Sequence, residues 1–284
     1  MKIGKYDVAG KAAIMGILNV TPDSFSDGGQ YETIDQALKQ VEAMLAAGAA
    51  IIDIGGESTR PGAAFVSAED EIKRIVPIVE AISEKFNCLI SIDTYKTETA
   101  RVALAAGAHI LNDVWSGLYD GQMFQLAAET GAPIILMHNQ CEEVYGNVTE
   151  DVCQFLLERA DLAQKTGVKK ENIWLDPGFG FAKNVEQNME LLRGLAEVTK
   201  LGYPVLFGIS RKRVVDSLLG GHTKPQERDM ATAALSGYAI SKGCKIVRVQ
   251  TFHQPIHLPL PLLTFHFLTF SSTKHFYLKT LNNY

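Results

Sequence analysis

The chain has 284 residues, 46% hydrophobic and 21% charged, with a net charge of −5. That is room for one large domain or two small ones, and the acidic balance excludes broad electrostatic binding to nucleic acid or anionic lipid. The absence of roughly 18 continuous apolar residues argues against a membrane span, and nothing after Met1 reads as a secretory leader, so a cytoplasmic protein is expected.

The first element is an apolar run, Ile14–Asn19, that stops at an amide. A loop from Val20 to Gly29 follows, dense in hydroxyls, carboxylates and glycines. An ordinary strand-to-helix turn needs one Gly and one capping residue, so this crowding reads as an active-site rim at a strand's C-terminal end. Next, Ile34–Ala47 places Ala37, Val41, Met44 and Leu45 on one helical face, and Gly48 stands where a helix stops. Further short β-branched runs follow at Ile51–Ile54, Leu89–Asp93, Ile110–Asp113, Pro133–Met137, Ile173–Asp176, Val205–Gly208 and Lys245–Val249. Ala68–Phe86 and Val148–Lys165 are amphipathic, with acidic residues near their starts. Strands alternating with helices leave two architectures, an open doubly wound sheet or a closed barrel. Eight units in roughly 250 residues suit the barrel. No dinucleotide fingerprint follows the first strand, so the expectation is an α/β fold, a (β/α)8 TIM barrel. The domain is expected over residues 1–249, with a divergent, poorly ordered tail over 250–284.

In such a barrel all strand ends open on one face. Asn19 ends strand one, and Glu57-Ser58-Thr59-Arg60-Pro61-Gly62 follows strand two. Asp93, Asn112-Asp113, Met137-His138 and Asp176 close strands three to six. Ser210-Arg211-Lys212 follows strand seven, and Arg248 lies in strand eight. Arg60, Arg211, Lys212 and Arg248 gather positive charge suited to phosphate. A substrate carboxylate would suit the Ser210–Arg213 helix start. Asp93, Asn112 and Asp176 suit a flat heterocycle bearing N–H donors. Asn19 offers a neutral oxygen to a hard cation whose shell a substrate phosphate completes. Cys88, Cys141, Cys153 and Cys244 lack metal-type spacing and read as reduced thiols.

Asn19-Val20-Thr21-Pro22-Asp23-Ser24-Phe25-Ser26-Asp27-Gly28-Gly29 resembles the first signature of the dihydropteroate synthases, and Asp53-Ile54-Gly55-Gly56-Glu57-Ser58-Thr59-Arg60-Pro61-Gly62 the second. Ser91-Ile92-Asp93-Thr94, Leu111-Asn112-Asp113, Leu136-Met137-His138, Leu175–Phe181 and Gly208–Lys212 continue the match in order. The resemblance covers residues 10–249. It implies a pterin-binding barrel that joins 6-hydroxymethyl-7,8-dihydropterin diphosphate to p-aminobenzoate and releases pyrophosphate, with Mg²⁺ as cofactor. It implies that Asp93, Asn112, Asp176 and Lys212 hold the pterin, with Met137 packed against it. Asp93, Asp176 and Lys212 would be the catalytic groups, and Asn19 the Mg²⁺ ligand. Arg248 and Thr59 would contact the diphosphate. Phe25, Thr59, Arg60, Pro61, Phe181, Ser210 and Lys212 would form the p-aminobenzoate pocket, where sulfonamides compete. The implied partners are these small molecules, with no nucleic acid and no membrane, and a homodimer built on late helices.

The ending departs from the family. Where the pattern reads Arg-Val-His, this chain reads Arg248-Val249-Gln250, so Gln250 replaces a diphosphate-binding His. The last 34 residues contain no Asp, Glu or Gly, hold four of the seven His, and carry +2, leaving −7 on the rest. Prolines in Pro255–Leu263 preclude a regular helix there. The eighth helix is therefore expected to be missing or replaced by an irregular tail, through a shifted reading frame or altered gene end, and this argues against dimerisation. Two other readings stay open: a pterin-binding barrel that has lost turnover, and a related pterin-dependent methyltransferase domain, which Ser58–Gly62 and Ser210–Lys212 disfavour.

Overall fold

The structure is a computed structural model describing residues 2–3, 6–7, 12–20, 30–58 and 63–250. Eight parallel strands form its centre: β1 (Ala13–Asn19), β2 (Ile51–Gly55), β3 (Leu89–Asp93), β4 (Ile110–Asp113), β5 (Ile134–Met137), β6 (Ile173–Asp176), β7 (Leu206–Phe207) and β8 (Ile246–Val249). Their spatial order is β6-β5-β4-β3-β2-β1-β8-β7. Leu175 of β6 pairs in parallel with Val205, just ahead of β7, and this bridge closes the sheet into a barrel. Outside run α1 (Gln30–Ala46), α2 (Ala68–Lys85), α3 (Thr97–Ala105), α4 (Met123–Thr130), α5 (Val148–Thr166), α6 (Val185–Arg193), α7 (Leu195–Val198), α8 (Arg213–Leu218) and α9 (Asp229–Ser241). The expected TIM barrel is what forms. A two-residue antiparallel pair, Lys2–Ile3 with Tyr6–Asp7, precedes it and had no signal in the sequence reading.

The elements follow from local chemistry. Gly48 ends α1 at φ +98°, the left-handed conformation that an L side chain resists. The α2 start is capped by Ser67, whose hydroxyl accepts from the Asp70 amide at 3.1 Å. Asn184 and Gln187 form a reciprocal capping box at α6. Strand boundaries lie within a residue or two of those expected, and the α2 and α5 starts agree outright.

Alternation along the strands builds two levels inside the barrel. A lower plug takes an apolar side chain from every strand: Met15, Ile51, Leu89, Ile110, Ile135, Trp174, Leu206 and Ile246. Side chains recur on one face every second residue. Two positions further along these strands stand Ile17, Asp53, Ser91, Asn112, Met137, Asp176, Gly208 and Arg248. The interior therefore changes from wholly hydrocarbon to mainly polar groups in one step toward the C-terminal mouth. The intervening residues, such as Ile52, Ile90, Leu111 and Leu175, face outward into the two clusters beneath the helices.

One ionic brace ties the helical shell to the strand ends. Glu71 of α2 is 1% exposed and accepts from Lys96 Nζ at 3.0 Å, Thr94 Oγ1 at 3.1 Å and Thr99 Oγ1 at 3.1 Å. Lys96 also donates to Glu57. Gly56 lets β2 approach this brace, since a Cβ there would lie 2.8 Å from both Glu71 Cγ and Ile75 Cγ2. Gly56→Ala is expected to lower the unfolding free energy by about 1–3 kcal/mol through overpacking, read from the midpoint of urea denaturation.

Candidate active site

The polar level inside the barrel is organised around Arg248. Its Nε donates to Asp53 Oδ2 at 2.6 Å, and its terminal amine donates to Asp93 Oδ2. Asp53 is fully buried and also accepts from Asn112 Nδ2 at 3.2 Å. These contacts join strands β8, β2, β3 and β4. The carboxylates raise the Arg248 guanidinium further above its usual range, against the opposing effect of burial. Two of its five N–H groups are committed to carboxylates among the described residues.

Asp93 is a strongly perturbed carboxyl. Burial pushes it up to about 7, Arg248 and Lys212 oppose that rise, and Asp53 adds to it. One oxygen accepts from Arg248, while Oδ1 is buried with no hydrogen-bond partner among the described residues. An acceptor in that condition is suited to a donor brought by a ligand. On the other side of the mouth, Asp176 Oδ1 accepts from the Gly178 amide at 2.8 Å. Burial raises the Asp176 carboxyl too, with Lys212 opposing. Gly208 lies between Asp176 and Arg248, as a Cβ there would sit 3.6 Å from Asp176 Oδ2 and 3.9 Å from Arg248 Cβ.

Lys212 follows β7 and folds back over the loop after β6. Its ammonium donates to the Phe179 carbonyl and stands 4.4 Å from the centre of the Phe181 ring. Burial lowers it to about 8, while Asp176 and Asp93 favour its charged form. Asp93, Asp176 and Lys212 thus share one electrostatic environment with Arg248, as the sequence reading required. Beside them, a cavity of about 160 Å³ is lined by Glu57, Ser58, Tyr95, Val114, Trp115, Asn139 and Phe181. It lies among the loops rather than over the carboxylates, and Phe181 is the side chain common to both.

The other expected site residues are placed as follows. Asn112 is in the charged cluster, and Met137 is buried at the end of β5. Asn19 is exposed at the end of β1. Ser210 accepts at Oγ from the Gln250 amide at 3.1 Å, so the residue replacing the family's His holds Ser210 through its backbone. Phe25, Thr59, Arg60, Pro61 and the tail after Gln250 lie outside the described residues.

Arg211 corrects the sequence reading. Grouped there with the phosphate-binding cations, it instead forms a two-toothed ion pair with Asp229 of α9, at 2.6 and 2.7 Å. Its backbone is left-handed, φ +58°, and its carbonyl accepts from Arg228 at 2.9 Å. This reversal at Arg211 separates its direction from those of Ser210 and Lys212. The helix start expected to hold a carboxylate is also short, since α8 has six residues and a correspondingly weak dipole.

Two residues of this region were missed. Asp53 is a carboxylate inside an otherwise aliphatic strand, two positions beyond an interior Ile, and alternation could have marked it. Lys183, 6% exposed in the loop after β6, left no signal in the sequence.

A fit for Mg²⁺ can be judged from the donors. Among the described residues no cluster of three His, Cys, Asp or Glu could hold a metal. Asn19 supplies a single neutral oxygen, which fits Mg²⁺ arriving on a diphosphate with its own water, not a resident ion.

Comparison with known proteins supplies the family. The pterin binding enzyme family model matches residues 15–250. A dihydropteroate synthase of Streptococcus pyogenes serotype M6 is 73% identical over 249 residues, covering 88% of this chain and 94% of the relative. The Xanthomonas albilineans dihydropteroate synthase, solved with 4-aminobenzoic acid, superposes with a TM-score of 0.82 at 38% identity, over 87% of this chain and 90% of that one. The Yersinia pestis dihydropteroate synthase, solved as a sulfonamide drug complex, gives a TM-score of 0.82 at 40% identity, over 90% and 95%. With its polar level built on Asp53, Asp93, Asn112, Asp176, Lys212 and Arg248, the chain belongs to the pterin-binding enzymes and, within them, to the dihydropteroate synthases.

Proposed function

We propose that this barrel condenses 6-hydroxymethyl-7,8-dihydropterin diphosphate with p-aminobenzoate, giving 7,8-dihydropteroate and pyrophosphate in folate biosynthesis. The observation that carries the reading is Asp93, a buried carboxylate with one oxygen bound to Arg248 and the other unpartnered among the described residues. The pterin ring brings N–H donors to that oxygen, to Asp176 and to the Asn112 amide. Lys212 donates to a ring acceptor, and Met137 packs on the ring face.

The chemistry follows from charge. Breaking the carbon–oxygen bond leaves positive charge on the pterin methylene and negative charge on the departing diphosphate. Among the described residues the interior holds three carboxylates, Asp53, Asp93 and Asp176, against Arg248 and Lys212. That excess of negative charge stabilises the developing cation at fixed positions, with no reorganisation at the moment of reaction. The uncommitted N–H groups of Arg248 bind the departing anion. Asn19 would hold Mg²⁺, which supplies further charge neutralisation at the diphosphate. An arylamine is a weak nucleophile, so its nitrogen bonds to a methylene cation already formed, then loses one proton to water or the released pyrophosphate, and no covalent enzyme intermediate arises. The p-aminobenzoate lies against Phe181, Ser210 and Lys212, and sulfonamides compete there; Phe25, Thr59, Arg60 and Pro61, which the resemblance assigns to this pocket, lie outside the described residues.

The cellular setting belongs to the same proposal. No described helix is long and apolar enough to cross a membrane. None of the four cysteines, all among the described residues, is joined in a disulfide, which suits a reducing cytoplasm. A homodimer through the late helices would cover Met230 on α9, now 83% exposed.

Pyrophosphate release in a coupled assay should require both substrates; pterin diphosphate binding without release would favour the non-catalytic alternative, and methyl transfer to a corrinoid the other. Asp93→Asn is expected to slow diphosphate loss by about 10²–10³-fold, and an unchanged rate in single-turnover measurements would sink the dissociative mechanism. Asp93 acts ionised and Lys212 acts charged, so kcat/KM is expected to climb as pH passes about 7 and to fall beyond about 8. The acid limb should vanish in Asp93→Asn. Asp229→Ala removes both carboxylate contacts of Arg211, and we expect a fall of about 10-fold in kcat/KM, measured beside Asp229→Glu as a control for charge.

A further inference from the structure

The loop after β6 encloses a buried cation that none of these steps uses. Lys183 Nζ donates to His138 Nδ1 at 2.9 Å, to the Gly178 carbonyl at 3.0 Å and to the Phe181 carbonyl at 3.0 Å. An ammonium has three protons, and here each has one acceptor. Burial and the nearby lysine lower His138 to about 3, so its ring is neutral. Burial also lowers Lys183 to about 7, which leaves it charged on the acid side of neutrality.

The backbone is shaped around this side chain. Gly178 and Gly180 have φ of +70° and +77°, and Ala182, which has a Cβ to accommodate, has +44°. That strained conformation is held from outside, because the Tyr145 hydroxyl donates to the Ala182 carbonyl at 2.8 Å. At Gly178 any side chain would collide, its Cβ falling 2.0 Å from the His138 carbonyl oxygen. The loop is therefore clamped against the end of β5. Its contents matter for chemistry: the Gly178 amide holds Asp176 Oδ1, and the Phe181 ring lies beneath the Lys212 ammonium.

We infer that Lys183 is a positioning residue for the reaction proposed above. By holding the Gly178 and Phe181 carbonyls to His138, it sets the Asp176 carboxylate for the pterin and the Phe181 ring for p-aminobenzoate. The inference deepens that functional reading and rests on it.

Lys183→Met keeps the side chain's length and removes all three donors. The calorimetric Kd for pterin diphosphate and the KM for p-aminobenzoate are each expected to rise about 10-fold, with kcat at saturation changed less than about threefold. Unchanged Kd and KM beside a reduced kcat or a smaller active fraction would overturn the assignment. A second measurement needs no variant to fold. In the native protein near pH 6, nitrogen NMR is expected to find His138 neutral with its proton on Nε2; a charged ring, or a proton on Nδ1, overturns it. Absence of pyrophosphate release by the unsubstituted chain would count against the proposed reaction, while pterin binding and the His138 tautomer still decide the role of Lys183.

Discussion

The ion pairs of Arg248 with Asp53 and Asp93 are the constraint on which the site depends. A closed barrel has no room for unpaired charge, since removing one partner of a buried pair costs roughly 3–5 kcal/mol. Arg248 comes from the last strand, and its carboxylates come from the second and third. The pairs can exist only when β8 has docked beside β1 and the sheet has turned back on itself. Docking of β8 beside β1 and assembly of these ion pairs are therefore one event. Asp93 is left with one oxygen balanced by a guanidinium and the other buried without a partner among the described residues, which accounts for a carboxyl held near neutrality.

The hydrophobic plug below makes that arrangement sharper. Met15, Ile51, Leu89, Ile110, Ile135, Trp174, Leu206 and Ile246 fill the barrel from wall to wall. Charges directly above such a floor are screened by little on one side, so their mutual effects are stronger than at a surface. The floor also fixes register. A one-residue slip of β2 would turn Asp53 outward among the aliphatic side chains under the helices and bring Ile52 inward. Plug and polar level thus stabilise the same pairing.

What the sequence made legible follows from these periodicities. Strands showed as short β-branched runs, and α2 and α5 as amphipathic segments with acidic starts, because burial forces such patterns. Convergence of Asp93, Asn112, Asp176, Lys212 and Arg248 was legible because a parallel barrel leaves its strand ends on one face. Arg211 was misread because a strand-end position says nothing of a left-handed backbone that turns the guanidinium to Asp229. Lys183 was invisible for a related reason. Its partners are two loop carbonyls and a histidine 45 residues away, and no spacing rule encodes a coil with alternating positive φ.

The replacement at Gln250 can be weighed in the same terms. The contact at this position is made by the backbone, its amide donating to Ser210 Oγ, and any residue except proline supplies that bond. Exchange of the family's imidazole for an amide therefore leaves the Ser210 turn intact. On the proposed reading, what changes is one side-chain hydrogen bond toward the diphosphate, about 1.5–3 kcal/mol for a charged acceptor and on the order of 10–200-fold in rate if it acts in the transition state. Arg248, two positions earlier, is anchored by two carboxylates, and in the proposed reaction it still receives the departing anion. A loss of that size weakens a catalyst whose main stabilisation of charge lies on other strands; it does not remove the machinery.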